Sequence, residues 1–361
     1  MRIAIDCRYV RIGRHDGISR FTASLVEHLL PLLGADDELV ALIHDDGQLD
    51  MLPAGLTVHR VSPPTSAREP WVASQVNRIR PDVVFSPMQT MGTIGRRYPL
   101  ALTLHDLIYY AHQTPPRDLP APVRVLWRLY HLAWWPQRLL LNRADAVVTV
   151  SETTRALIAE HRLTSRRVVV VPNATDRPAP RERTRPEGVE LVYMGSFMPY
   201  KNVETLCRAL HELPGARLHL LSRIRDEDRA RLEELAPADA LIVYDGVTDE
   251  EYASILDGAT ALVHASREEG FGIPLVEAMG RGTPVVVADT AIFREIGGSA
   301  ALYAAPDDAA GFAQRVRELL SPGEWEARSR AGYAQAARFD WGRSAGILLT
   351  LLRELAATPR R

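Results

Sequence analysis

The stretch ATALVHASREEGFGIPLVEAMGRGTPVVVAD, residues 259–289, places two apolar, β-branched runs on either side of a loop and a helix-length segment. Two such runs joined through a helix read as a parallel βαβ unit, because parallel strands need a crossover of a dozen or more residues. Gly270 and Gly272 allow the backbone between strand and helix to approach a ligand closely. Pro274 fixes φ at the helix start, where an N–H would be unsatisfied in any case. The exposed amides from Ile273 through Leu275 to Val276 are then expected to receive an anion. Glu269 closes the loop and Glu277 is expected in the first helical turn. Taken singly, they read as a solvated loop charge and a helix-dipole acid. Taken together, they can accept hydrogen bonds from two sets of hydroxyls.

The same alternation extends in both directions. "RIAIDC", "ELVALIH", "DVVFS", "LALTLHD", "AVVTVS" and "RVVVVP" precede it, with amphipathic segments such as "ISRFTASLVEHLL" between them. Residues 174–188, rich in Pro and Arg and without periodicity, read as a linker. The pattern then restarts with "VELVYMG", "RLHLLS", "LIVYDG", "ATALVHA", "TPVVVAD" and "ALYAA". The expected fold is α/β, with two Rossmann-like doubly wound parallel sheets, residues 1–173 and 189–340, facing a central cleft. The final helix, 341–361, is expected to pack back on the first domain.

A net charge of −2 argues against a polyanion-binding surface, so nucleic acid is not an expected partner. "MRIAIDCRYV" runs straight into a strand, with no signal-peptide pattern, and no apolar run is long enough to cross a bilayer. Two cysteines, Cys7 and Cys207, fit a reducing compartment and no metal framework. A cytoplasmic protein is expected.

The chain's only lysine, Lys201, lies in "MGSFMPYKNVETL", between the first strand of the second domain and the following helix. All other Lys-or-Arg positions hold arginine. An ammonium there can meet a phosphate as a point charge, without demanding a planar bidentate partner.

"E-G-F-G-I-P-L-V-E" resembles the E-x7-E motif of the retaining GT-B glycosyltransferases of family 4. The resemblance covers nearly the whole chain, through "DGISRF", "TLHDLIYY", "ADAVVTVSETTRALI", "VVVVPNATD", "YDGVTDEEYASIL" and "FDW". It implies that Glu277 binds the ribose hydroxyls of a sugar nucleotide and Glu269 the transferred sugar. Amides after the glycines would meet the β-phosphate, and Lys201 the diphosphate. It places His105 near the donor sugar, Gly17 in a glycine loop near phosphates and acceptor, and Val247 against the nucleobase. "GSFMPYKN" and "EGFGIP" resemble mannosyltransferase-like members, which implies GDP-mannose as donor and a glycan as acceptor. Ser196 stands where many relatives carry a phosphate-binding arginine; Arg223 and Arg20 are candidates to compensate.

The resemblance implies front-face attack, with the acceptor proton passing toward the leaving phosphate. No cofactor is expected beyond the nucleotide sugar, and no metal site: Asp45 and Asp46 read as turn formers. His105 and Asp106 could instead form a general base with its orienting acid. Residues 123–146, rich in Trp and Arg, resemble a membrane-seating helix of some relatives, but Pro136 interrupts them. An interdomain or acceptor-side helix is the preferred reading over membrane contact. The alternatives are a non-catalytic sugar-nucleotide-binding subunit, a sugar-nucleotide epimerase, which would not be expected to carry the E-x7-E block, and a phosphorylase, which would need a second lysine for its cofactor.

Overall fold

Among the described residues every strand pair runs parallel, so each connection, most of them helical, returns the chain to the same end of its sheet. A computed structural model describes residues 1–13, 15–115, 120–176 and 178–358. The chain forms two units: Met1–Asn173 with the chain from Asp340 onward, and Ala174–Phe339.

The first unit holds β1 (Arg2–Asp6), β2 (Glu38–Ile43), β3 (Thr57–Arg60), β4 (Val83–Ser86), β5 (Leu100–Leu104), β6 (Ala146–Thr149) and β7 (Arg167–Val170). Their order is β3-β2-β1-β4-β5-β6-β7. The second unit holds β8 (Glu190–Tyr193), β9 (Arg217–Leu220), β10 (Leu241–Val243), β11 (Ala261–His264), β12 (Val285–Ala288) and β13 (Leu302–Ala304), in the order β10-β9-β8-β11-β12-β13. Each sheet starts in its middle, grows to one edge, and then crosses back. The reversal points lie between β1 and β4 and between β8 and β11, and ligands of such sheets bind beyond the strand ends at these points.

Strands β4, β11 and β12 are buried at every residue, as parallel strands covered on both faces are. Strand β3 is missing from the sequence reading. It is an edge strand whose Thr57, Val58 and Arg60 are exposed, so "TVHR" carries no apolar run to reveal it.

The helix Trp341–Ala357 lies on the first unit: Trp341 packs against Phe21 at 6.2 Å between rings, and the Ser344 hydroxyl donates to the Pro172 carbonyl at 2.8 Å. The described part of 174–188 has neither helix nor strand. Arg183 nevertheless fastens it to the second unit, donating to the Arg281 carbonyl at 2.8 Å and lying 5.3 Å from the centre of the Trp325 ring.

Candidate functional site

Because Leu191 and Val192 of β8 pair with Ala261 and Leu262 of β11, the loops after these strands emerge side by side. The β8 loop begins with Gly195, whose amide donates to the Ser222 hydroxyl at 3.1 Å. A Cβ at this position would lie 2.9 Å from the Tyr193 hydroxyl and 3.5 Å from His264 Nε2, so only glycine fits. The Tyr193 hydroxyl donates to the carbonyl of Ser196, whose side chain is exposed.

The loop then tightens through the 3-10 turn Pro199–Lys201 into Asn202, held at φ +54°. Asparagine tolerates this left-handed region better than most residues. Its side chain caps no helix. Buried instead, it donates to the carbonyls of Pro306 (2.6 Å) and Ala265 (3.3 Å) and accepts from Arg267 (3.1 Å) and Thr205 (3.0 Å). Arg267 adds its own amide to the Tyr200 carbonyl at 2.9 Å. The loops after β8, β11 and β13 are thereby joined around one amide group.

Lys201 emerges from this support with Nζ 2.6 Å from Glu269 Oε1, and the two side chains are only 13% and 10% exposed. Burial by itself would raise the Glu269 carboxyl; Lys201, then His264 and the Ser266 hydroxyl, bring it below the ordinary glutamate range. The pair is therefore ionic at neutral pH. His264, at the end of β11, bonds the Ser266 hydroxyl at 2.9 Å and lies 3.9 Å from the same Glu269 oxygen. Desolvation holds its pKa down to about 4, with Lys201 reinforcing and Glu269 opposing. It is a neutral imidazole. The sequence reading passed over His264 and Asn202: one sits inside an apolar strand run, the other looks like an ordinary helix start.

Gly272 caps the helix Ile273–Gly280 at φ +97°. Pro274 falls in the first turn as expected. The anion-facing capacity is narrower than the sequence suggested. Pro274 has no N–H, the Leu275 amide donates to the Gly272 carbonyl at 3.0 Å, and Val276, the fourth helical residue, begins the intrahelical ladder, so within this turn Ile273 supplies the amide an anion could use. Glu277 is the fifth helical residue, hence in the second turn rather than the first. It is partly buried. Val247 follows β10, partly buried, after Gly246 at φ +105°. Arg223, on the loop after β9, packs against Gly246: a Cβ there would meet Arg223 Cγ at 3.2 Å. Strands β8 to β11 all end on this side of the sheet.

The remaining candidates belong to the first unit. Gly17 is the first residue of the helix Gly17–Leu29, capped by Asp16, and not part of a loop. Arg20 lies in the same helix. His105 follows β5; its Nε2 donates to the Pro87 carbonyl at 2.8 Å and its ring meets Phe21 edge-on at 5.1 Å. Desolvation lowers its pKa to about 4. Asp106 accepts from the Ile108 amide at 3.1 Å, so it holds its own loop while His105 is oriented by a carbonyl. A cavity of about 180 Å³ opens here, lined among others by His105, Asp106, Tyr109, Tyr130, His131 and Gln137.

At the first sheet's reversal point, Arg8 meets Asp6 through two hydrogen bonds of 2.7 and 2.9 Å and Glu69 through two of 2.5 and 3.0 Å. The Ser86 hydroxyl, at the end of β4, donates to Asp6 Oδ2 at 3.0 Å. Arg8 and Asp6 are fully buried side chains. Among the described residues, no three His, Cys, Asp or Glu side chains stand together as a metal-ligand set.

Two family descriptions match consecutive parts of the chain: "Glycosyltransferase Family 4" over residues 15–177 and "Glycosyl transferases group 1" over 188–322. The O-antigen chain mannosyltransferase B of Escherichia coli is 33% identical over 159 residues, 42% of each chain. The O-antigen chain mannosyltransferase RfbU of Salmonella typhimurium is 23% identical over 86% of this chain and 89% of its own. Among solved structures, sucrose-phosphate synthase from Thermosynechococcus elongatus superposes with a TM-score of 0.75 at 19% identity, over 99% of both chains. Anabaena HepE, solved with UDP and glucose, gives 0.70 at 16% identity, over 98% of this chain and 99% of its own. These likenesses show the GT-B fold.

Proposed function

We propose, for a chain that belongs to the glycosyltransferases of family 4 and group 1, transfer of mannose from GDP-mannose to a glycan hydroxyl with retention at the anomeric carbon. The observation that carries this reading is the Lys201–Glu269 contact of 2.6 Å at the second sheet's reversal point. It sets a cation where a diphosphate would leave beside a carboxylate that sugar hydroxyls could reach. Breaking the anomeric C–O bond puts positive charge on the sugar and negative charge on the departing diphosphate. Lys201 and the amide of Ile273 at the helix N-terminus would stabilise the latter. Glu269 would accept from the sugar, and Glu277 from the ribose. A front-face path lets the acceptor hydroxyl pass its proton to the leaving phosphate oxygen, so no protein base is required. Neutral His105 then serves as a hydrogen-bonding group for the donor sugar rather than as that base. The names of the mannosyltransferase relatives support the choice of sugar.

Thermal melting with GDP-, UDP- and ADP-sugars, followed by transfer assays, tests the donor. GDP-mannose should raise the midpoint most, by mass action. A clear preference for a UDP-sugar would reject the donor, and binding without transfer to any glycan would favour the non-catalytic subunit. If Lys201 and the helix N-terminus suffice for the diphosphate, transfer should persist in EDTA. Abolition by EDTA with recovery on Mg²⁺ or Mn²⁺ would reject metal independence.

The two glutamates should separate in binding measurements. Glu277→Gln is expected to weaken both free GDP and GDP-mannose by about tenfold or more, the effect of a lost charge-assisted hydrogen bond. Glu269→Gln should weaken the donor alone, because free GDP brings no sugar and gains a lysine relieved of its internal partner. Calorimetry showing equal losses of GDP affinity in both variants would contradict these roles.

A further inference from the structure

At the outer edge of the second sheet lies a cavity of about 290 Å³ whose charged lining, among the described residues, is arginine alone. Arg294 comes from the helix Ala291–Gly297, Arg315 from Ala309–Leu319 and Arg328 from Glu324–Ala336, so three separate helices converge on it. Between them stands Tyr303 of the edge strand β13, and Gly298 and Ser299 of the preceding loop complete the rim. Strand β12 separates β13 from the reversal point at β8 and β11, so this cavity is distinct from the Lys201 site.

Each guanidinium is fixed by groups around it. Asp289 accepts from Arg294 Nε and Nη2, both at 2.7 Å, and the same guanidinium lies 3.9 Å from the centre of the Tyr303 ring. Arg315 donates through Nε to the Tyr303 carbonyl at 3.0 Å and through Nη1 to Glu318 at 2.7 Å. Arg328 donates through Nε to Glu324 at 2.6 Å and through Nη1 to the Ser299 carbonyl at 2.9 Å. Asp289, Glu318 and Glu324 match the three cations in number, yet none of these carboxylates lines the cavity. Among the described residues, Arg294 Nη1, Arg315 Nη2 and Arg328 Nη2 are left without a hydrogen bond; Glu318 Oε1, at 4.0 Å, is too far from the last of them.

A framework that only tied helices to a strand would need none of these three nitrogens. Planar forks held along one edge and open along another suit an oxyanion that takes parallel bonds, as phosphate does. The one aromatic ring of the lining already carries Arg294, and the volume lies at the lower end of small-molecule sites, roughly 300 Å³. Both features select a small phosphate-bearing anion over a nucleotide or a polymer.

We propose that Arg294, Arg315 and Arg328 form a second anion site, which takes a terminal phosphate group, free or on a small monoester. The proposal does not depend on which sugar is transferred at Lys201.

The test is calorimetric titration of the full chain with inorganic phosphate and with glycerol 3-phosphate, in about 0.15 M NaCl so that diffuse attraction between exposed charges is screened. Both anions are expected to bind. Tighter binding of glycerol 3-phosphate would assign the site to a monoester, and equal binding to free phosphate. The double variant Arg294→Gln, Arg315→Gln should weaken either anion by at least about tenfold, the effect of a lost charge-assisted hydrogen bond, with the melting midpoint and the parent's GDP affinity unchanged. Arg294→Gln alone, at the most exposed of the three side chains, gives the same reading should the double variant fail to fold. Lys201→Ala should leave this binding intact. Absence of binding, or undiminished binding by the arginine variants, would overturn the proposal. So would its loss in Lys201→Ala, which would place the phosphate at the donor site.

Discussion

Lys201→Ala is expected to lower turnover about a hundredfold, roughly 3 kcal/mol, by analogy with removing one preorganised group that stabilises developing negative charge. The chain itself positions the ammonium, because Asn202 and Arg267 fix its loop to the neighbouring strand ends. Among the described residues the other ionisable side chain paired with Glu269 Oε1 is His264, 3.9 Å away and neutral, so it does not take over from the ammonium. Lys201→Arg discriminates between a need for charge and a need for shape. A guanidinium can hold Glu269 through two parallel bonds, and this fork should keep it on the carboxylate instead of on a leaving phosphate. Partial recovery is therefore expected. Steady-state turnover equal to the parent, with unchanged melting and donor affinity, would show that any cation serves.

The largest expected loss of stability follows from Arg8→Met. Removing the guanidinium leaves Asp6 fully buried and Glu69 nearly so, each deprived of its cation. Breaking a buried ion pair from one side costs about 3–5 kcal/mol. The effect should appear in denaturant unfolding of the first unit, followed by a probe within it because the two units need not unfold together. Adding Asp6→Leu to Arg8→Met should return part of the loss, since an apolar pair needs no compensation. A single variant as stable as the parent would mean that the network contributes nothing net.

How far these features can be read from sequence depends on the range of the interactions that make them. The central strands are legible because "AVVT" and "VVVA" are buried on both faces and so are apolar throughout. "TVHR" is not, because an edge strand is held by backbone bonds that any sequence provides. Lys201 stands out by its rarity and Glu269 by its spacing to Glu277. Their contact is invisible locally: it arises because β11 inserts beside β8 across 68 residues of chain. Glu277 falls one turn later than a helix begun after Pro274 would put it, because Gly272 caps the helix and starts the count at Ile273. Asn202 could have been suspected only from the need for a left-handed residue between a 3-10 turn and a helix. The outward aliphatic face of the helix Ala121–His131, where Val125, Leu126 and Leu129 are exposed, is hidden by its composition, since the same Trp, Tyr and Leu residues would serve an inward face equally well. Pro136 sits in the first turn of the next helix, Trp135–Leu141, and so starts a helix rather than interrupting one.

Lys201 owns a counter-ion within the chain, so binding an anion at this site is an exchange of partners and not a simple neutralisation. Under the proposed reaction, an incoming anion must compensate two groups: the ammonium it takes and the carboxylate it leaves behind. A sugar nucleotide can do both, with its phosphates and its hydroxyls. After transfer the diphosphate can satisfy only the first, and Glu269 competes to reclaim the lysine. The pair thus opposes product retention as well as occupation by bare phosphate, and it would act as an eviction device that the GDP affinity of Glu269→Gln measures directly.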